Sequence, residues 1–358
     1  TYNSLTADYL LGKKVVALPS NRRLMHNRIT IEGTTQHNLK NITVNFPLNA
    51  ITVVSGVSGS GKTTLVKDIL YPALRRHIEQ VGDAPGQHKQ LTGDIDQIQK
   101  LEMISQNPLG RSSRSNPITY IKAYSTIRDL FSNLPLSKIR GFKPKHFSFN
   151  VEGGRCEVCK GDGFVEVEMQ FLANVYLVCD DCKGKRFKPE VIEVKYKDKS
   201  IKDVLALSVD EAIDFFIDRP DIAQKIQPLS DVGLGYVKLG QSSSTLSGGE
   251  AQRVKLASYL VKGRNSQSVL FMFDEPSTGL HFNDIKKLLA AFNALAENGH
   301  TVVIIEHNMD IIKSADWVID LGPKGGDEGG VLLYEGAPEG LLACDNSYTA
   351  QFLKEKMV

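Results

Sequence analysis

The stretch that most limits what this chain can become is AITVVSGVSGSGKTTLVKDIL, from Ala50 to Leu70. Its β-branched and apolar start reads as a buried strand, Gly56 opens a glycine-rich turn, and Lys62 to about Leu70 reads as a helix. Within it, GVSGSGKT fits Gly-x-x-x-x-Gly-Lys-Thr, the pattern of a loop that wraps phosphates. Gly56, Gly59 and Gly61, with Ser58 among them, let the backbone turn its amides inward, and the following helix points its positive end at an anion. Lys62 reaches the β and γ oxygens, and Thr63, with Thr64 beside it, offers a hydroxyl to magnesium (Mg2+). A glycine-rich turn without a ligand is the competing reading, and it leaves the strand before and the helix after unexplained.

Around this anchor the chain alternates strand and helix. Arg28 to Ser55 carries strand patterns, KLEMISQ is a strand candidate ending at Gln106, and NPLGRSSRSNP after it has the composition of a loop. SVDEAIDFFID predicts a helix, with Ser208 as N-cap and Glu211 at the capping-box position. In the last third come VLFMFDE, a helix from about Asn283 to Glu297, TVVIIEH and WVIDLG. This order implies a largely parallel sheet covered on both faces. A cysteine-bearing middle third with β-like flanks, GFVEVEMQF and VIEVKYK, interrupts it.

The 358 residues allow two or three compact units, and no internal repeat is visible. A net charge of +2, from 43 basic and 41 acidic residues, does not announce a nucleic-acid partner, so any basic surface must be local. The longest apolar runs are of strand length, which leaves no membrane span. The opening residues lack the order of a secretory signal, so export is not expected and a cytoplasmic place is. A start at threonine leaves open that the chain is a piece of something longer.

Four further clusters carry chemistry. Asp274 and Glu275 end VLFMFDE, and a carboxylate at the carboxyl end of a strand lies where open α/β sheets bind ligands. Asp274 can hold magnesium, and Glu275 can orient and deprotonate an attacking water; alone, the pair would read as solvated turn residues. His307 ends the next strand, placed to contact a γ-phosphate, although a strand-end histidine is more often structural. In LSGGEAQRVKLA, Ser247, Gly248 and Gly249 precede a helix, so hydroxyl, amides and dipole can converge on an anion; a capped helix with no ligand is the alternative. Cys156, Cys159, Cys179 and Cys182 give Cys-x2-Cys-x19-Cys-x2-Cys, the spacing of a four-thiolate zinc (Zn2+) site. Four sulfurs leave no open position, so such a zinc is structural, and Gly161, Gly163 and Gly184 suit its tight turns. Disulfides or a redox pair compete, and Cys344 has no partner.

LSGGEAQRVKLA matches the signature of ATP-binding-cassette ATPases, and the other landmarks follow in cassette order: the phosphate loop, Gln106 as Q-loop glutamine, Asp274 and Glu275, STGLH, and His307 as switch histidine. The resemblance implies an α/β ABC-type P-loop ATPase core with an inserted signature domain carrying a four-cysteine zinc module, using ATP. In that class the signature of one cassette closes over ATP held by the phosphate loop of another. Ser247 and Lys62 would then serve different nucleotides, and a second cassette is needed. The cysteine insertion separates the chain from transporter cassettes. Together GVSGSGKTTL, NPLGRSSRSNPITY, GGRCEVCKGDGFVEVEMQFL, LSGGEAQRVKLA and DLGPKGGDEGG make it resemble the UvrA family of bacterial excision-repair ATPases over almost its whole length, closest to their C-terminal half.

That resemblance implies residues 1–110 as the first part of the ATP-binding domain, 111–245 as the inserted signature and zinc-module region, and 246–358 as signature helix and second part. It also implies damaged duplex DNA, the N-terminal cassette of a parent chain, a homodimer mate and a UvrB-like helicase subunit as partners. Thr63 and Thr64 stand where the family often has serine and threonine, which keeps the magnesium hydroxyl. DNA contact is expected at Arg111, Arg114, Lys143 and Lys145, within a wider basic group that includes Arg140, Arg155, Lys185 and Arg186, near Phe142 and Phe147. A merely solvated face is the competing reading there. A drug-resistance paralogue or a transporter-type ATPase subunit is the alternative for the whole chain.

Overall fold

The computed structural model describes residues 4–107, 115–167, 169, 175–261 and 267–357. The backbone separates into two compact units, one from Thr1–Gln106 with Lys262–Val358 and one from Asn107–Val261. The first unit opens with β1 (Arg28–Thr34), β2 (Ile42–Pro47), β3 (Ile51–Gly56), β4 (Gln90–Gly93) and β5 (Lys100–Ile104). The middle unit holds β6 (Phe164–Val167), β7 (Val175–Val178), β8 (Lys195–Tyr196) and β9 (Lys199–Ser200). The first unit then closes with β10 (Val269–Asp274), β11 (Thr301–Ile305), β12 (Trp317–Gly322) and β13 (Val331–Gly336).

The main sheet of the first unit runs β13-β12-β3-β11-β10-β5, parallel throughout except for β13, which lies antiparallel at one edge. The expected parallel sheet is therefore present. Every residue of β3 and β11 is buried, and so is β10 up to Phe273, which is why these strands read as unbroken apolar runs instead of alternating. A second, antiparallel sheet, β2-β1-β4, supplies Ile29, Ile31, Val44 and Phe46 to one core with Leu65, Val66, Ile69 and Leu70 of the helix after the glycine turn and with Met272, Val303 and Ile319 of the main sheet.

That helix extends past the expected end at Leu70, with wide π-type turns over Thr64–Leu70 and α-helix over Tyr71–Glu79. Pro72 has no N–H to give the carbonyl of Asp68 four residues back, and that carbonyl accepts from Gly86 N–H instead, at 2.7 Å. The expected helix near Asn283 spans Phe282–Glu297, started by the His281 ring accepting from Asn283 N–H.

In the middle unit the Ser208 and Glu211 capping box starts helix Val209–Phe215 as expected. VIEVKYK is only marginally strand. Pro189 opens a short helix, Pro189–Ile192, and positive φ at Lys197 and Asp198 turns the chain after two paired residues. The boundary expected before Leu246 falls instead after Val261. Helix Gly248–Leu260 packs on Pro220–Asp231 and Pro117–Tyr120, and the Arg253 guanidinium is buried against Gly233 O at 3.1 Å, so the signature helix is part of the middle unit.

Asp320, 1% exposed in β12, accepts from the hydroxyls of Ser55 (2.7 Å), Ser347 (2.6 Å) and Thr349 (2.7 Å). It thereby ties β3 to β12 and to the start of helix Tyr348–Lys356. Asp320→Ala strands three buried hydroxyls and is expected to cost about 3 kcal/mol or more in urea unfolding, with Asp320→Asn losing less.

Candidate functional site

β3, β11, β10 and β5 point the same way, so their carboxyl ends share one edge of the sheet, where open α/β proteins take ligands. The phosphate-type loop leaves β3 there, Asp274 and Glu275 sit at the end of β10, His307 lies just past β11, and Gln106 lies just past β5, exposed. Strand order thus brings residues far apart in sequence to one sheet edge.

The loop is held from behind. Gly56 has φ of 130°, and a Cβ there would meet Leu321 O at 2.0 Å, so β12 packs directly on its backbone. Asn38 Nδ2 donates to Gly59 O (2.8 Å) and Gly326 O (2.9 Å), Gly326 N–H to Gly59 O (3.0 Å), and Gly330 N–H to Ser60 O (3.1 Å). DLGPKGGDEGG is thus a brace that draws loop carbonyls away from the turn, while positive φ at Gly59 and Gly61 shapes an anion nest. The Lys62 ammonium, 5% exposed, donates to Gly56 O (3.0 Å) and Val57 O (2.8 Å). Burial lowers its pKa, and the Glu275 and Asp320 carboxylates work against that shift.

Lys67, one turn further along the helix, places Nζ 2.5 Å from Asp274 Oδ2. Glu275 adopts φ of 44°, unusual for a side-chain-bearing residue, with its N–H held by Ile305 O at 2.9 Å. One of its carboxylate oxygens lies 3.7 Å from His307 Nε2. Burial and then the Lys62 charge hold the His307 pKa below the ordinary histidine value against the pull of Glu275 and Glu306, so the ring is largely neutral at pH 7.

Glu306 is a positioning residue that sequence reasoning misses. It is 2% exposed and spends its carboxylate on backbone: Oε1 accepts from Ser277 N–H (2.9 Å), Oε2 from His307 N–H (2.7 Å) and Asn308 N–H (3.0 Å). One buried group thereby fixes the loop after Glu275 against the loop that carries His307. An acid closing the apolar run TVVII is the available signal.

In the middle unit, Ser247 caps helix Gly248–Leu260 and forms a capping box with Glu250. Ser247 Oγ accepts from Glu250 N–H at 3.3 Å, and Ser247 N–H donates to Glu250 Oε2 at 2.7 Å. An accepting hydroxyl still carries a proton to donate, so capping leaves Ser247, with Gly248 and Gly249, able to face an anion.

The Sγ atoms of Cys156, Cys159, Cys179 and Cys182 are buried and within 4.8 Å of one another. Cys156 to Cys179 is 3.9 Å and Cys159 to Cys182 is 3.6 Å. A tetrahedral ion with sulfur ligands at about 2.3 Å has edges of about 3.8 Å, whereas a disulfide needs about 2.05 Å. The four thiols therefore fit a metal ion, and they are not disulfide-bonded. Gly163 N–H donates to Cys159 Sγ at 3.2 Å, as around metal thiolates. Gly161, Gly163 and Gly184 all have positive φ, and a Cβ on Gly161 would meet Phe149 O at 2.0 Å.

Lys143 and Lys145 are exposed, while Arg111 and Arg114 lie outside the described residues. The wider basic and aromatic group thins out in three dimensions. Arg155 is buried with Nη1 donating to Asn150 O at 3.2 Å, Arg140 pairs with Glu193, and Phe147 is core.

The phosphate loop and strand-end acids on one sheet edge, with a capped signature helix in an inserted unit, define a P-loop protein of the ATP-binding-cassette class, here with a four-cysteine insertion. Relatives narrow the class. UvrABC system protein A of Clostridium perfringens is 51% identical over 354 residues, covering 99% of this chain and 38% of that protein. The same-named protein of Bacillus subtilis is 51% identical over 353 residues, covering 98% and 37%. The crystal structure of UvrA2 from Deinococcus radiodurans matches with a TM-score of 0.88 at 44% identity, over 99% of this chain and 42% of that one. No protein-family model matches the chain. The chain belongs to the UvrA family, as its motifs implied, and spans about two fifths of the length of the curated relatives it matches.

Two tests follow from the geometry. Glu306→Gln turns an amide donor toward backbone N–H groups; it is expected to lower stability by about 1–3 kcal/mol and to speed hydrogen exchange at Ser277, His307 and Asn308. Metal stripping with a chelator, or Cys179→Ser, is expected to melt the middle unit in calorimetry while the first unit keeps its own transition.

Proposed function

We propose that this chain is the C-terminal ATP-binding cassette of a DNA excision-repair ATPase, cleaving ATP to ADP and phosphate and engaging damaged duplex DNA. The observation that carries the reading is the likeness of 99% of this chain to UvrABC system protein A, in a chain whose Lys62, Asp274, Glu275 and His307 share one sheet edge. The likeness at 51% identity favours this over a transporter-type subunit, and no helix among the described residues is long and apolar enough to cross a membrane. A cytoplasmic place accords with that reading.

In this reading Lys62 turns from the carbonyls of Gly56 and Val57 to the β and γ oxygens, with Gly56, Ser58, Gly59, Gly61 and Thr64 forming the cradle. Thr63 and Asp274 are the residues that would hold magnesium, which when bound neutralises phosphate charge. Glu275 orients a water and takes its proton. Neutral His307, 3.7 Å away, can donate to a γ-oxygen without adding charge beside Lys62, and Gln106 closes the same edge. Ser247, Gly248 and Gly249 would address a nucleotide held by a second cassette, supplied by the N-terminal half of a parent chain or by a homodimer mate. Zinc is the ion that four buried thiolates suit best, as a structural centre. Lys143 and Lys145, with Arg111 and Arg114, would meet DNA backbone, and a UvrB-like helicase subunit would receive the lesion.

The parent protein with Glu275→Gln is expected to bind ATP normally while turnover falls by about a hundred-fold or more. The isolated chain should bind ATP yet hydrolyse it slowly until the other half is added. An unchanged rate in Glu275→Gln would remove the hydrolytic reading.

A further inference from the structure

The middle unit contains a recess of about 580 Å³ walled by the segment after Cys182, by helix Ile201–Ala206 and by the loop from Tyr236 to Gln241. Lys185, Arg186, Lys202 and Lys238 line it from three separate segments, together with the rings of Phe164 and Tyr236, and no carboxylate among the described residues lines it. Carboxylates do interact with these cations, Asp162 with Arg186, Asp203 with Lys202 and Glu211 with Lys238, but they stand behind the lining, so the recess itself presents only positive charges. The Arg186 guanidinium is a fixed charge, since Nη1 donates to Gly240 O at 3.0 Å and the group lies 5.5 Å over the Phe149 ring. Lys185 and Lys238 are exposed and can follow a ligand. Phe164 is 47% and Tyr236 62% exposed, so two flat apolar faces stand in water beside the cations.

Tyr236 also reaches the signature. Its hydroxyl donates to Glu250 Oε1 at 2.6 Å, and the other oxygen of that carboxylate is the one accepting from Ser247 N–H at 2.7 Å. One side chain thus both caps the nucleotide-facing serine and holds the tyrosine of the recess. All of these groups lie within the middle unit.

We propose that the recess is a binding site for a DNA strand, with phosphodiesters on the four cations and a base against Tyr236 or Phe164, and that occupancy is relayed to Ser247 through Tyr236 and Glu250. Cations spread over three segments suit a polyanion better than a single small phosphate, and exposed rings beside them suit the stacking of bases. The inference deepens the reading of the chain as a DNA-engaging ATPase and rests on it.

The test uses the full-length parent, a fluorescent duplex of random sequence carrying one lesion, and a salt series. The double variant Lys202→Gln/Lys238→Gln is expected to bind more weakly and to lower the salt slope by about 1–2. Tyr236→Phe keeps the ring but cuts the link to Glu250, so affinity should stay within about two-fold while the ratio of ATPase rates with and without DNA falls toward one. An unchanged slope and affinity in the double variant, or an unchanged rate ratio in Tyr236→Phe, overturns the proposal. Displacement of the duplex by inorganic phosphate at constant ionic strength, lost in the double variant, would assign the recess to a small anion and overturn it as well. A wild-type parent that binds no duplex would instead remove the repair reading itself.

Discussion

Backbone hydrogen bonds between β3 and β11 set Val53 opposite Ile304 and Val54 opposite Ile305, and the geometry of the nucleotide edge descends from that pairing. The loop bearing Lys62 starts where β3 stops, and His307 starts where β11 stops. Because side chains alternate faces and strands rise about 3.3 Å per residue, a slip by one position would turn the apolar sets of both strands around and pull histidine and lysine apart. Burial of every residue in both strands makes such a slip costly. The register is the constraint to which the acids of β10, paired with β11 in the same sense, also answer.

Around this frame, polar groups, two of them fully buried carboxylates, fix what the strands only bring near. Asp320 gathers three hydroxyls beneath the loop, Asn38 and the Gly326–Gly330 segment hold its carbonyls, and Glu306 joins the loop of Ser277 to that of His307. Asp320 and Glu306 are desolvated groups whose cost is offset by hydrogen bonds they cannot lose singly. The resulting scaffold is stiff where phosphate chemistry needs fixed donors. Lys67 against Asp274 adds a local counter-charge at the same edge.

What the sequence makes legible is local. The glycine turn, the strand-end acids, the capping box at Ser208, the helix start after Ser247 and the thiol spacing are patterns within a few residues, and the structure contains each of them. The distant partnerships of Glu306 and Asp320 are not legible: an acid closing TVVII marks Glu306 itself, but Ser277 lies 29 residues from it and Ser55 lies 265 residues from Asp320. VIEVKYK looks like a strand because β-branched residues are frequent in it, yet Pro189 and the positive φ of Lys197 and Asp198 prevail over that preference. The end of the middle unit is expected too early because helix Gly248–Leu260 carries a nucleotide motif while its packing partners are Pro220–Asp231 and Pro117–Tyr120. Arg155 and Phe147 look available for DNA because sequence spacing does not show which charges and rings are already enclosed.

The thiol ring brackets β6 and β7, whose residues all stay exposed, and Cys179 N–H bonds Gly163 O at 3.0 Å where the two strands leave it. An isolated two-stranded ribbon is barely stable in water, so this one borrows its order from the sulfurs at its foot. The ring therefore works as a mounting: it holds at its foot a ribbon that has no core of its own, and a ribbon so mounted keeps its aim only while its base is clamped.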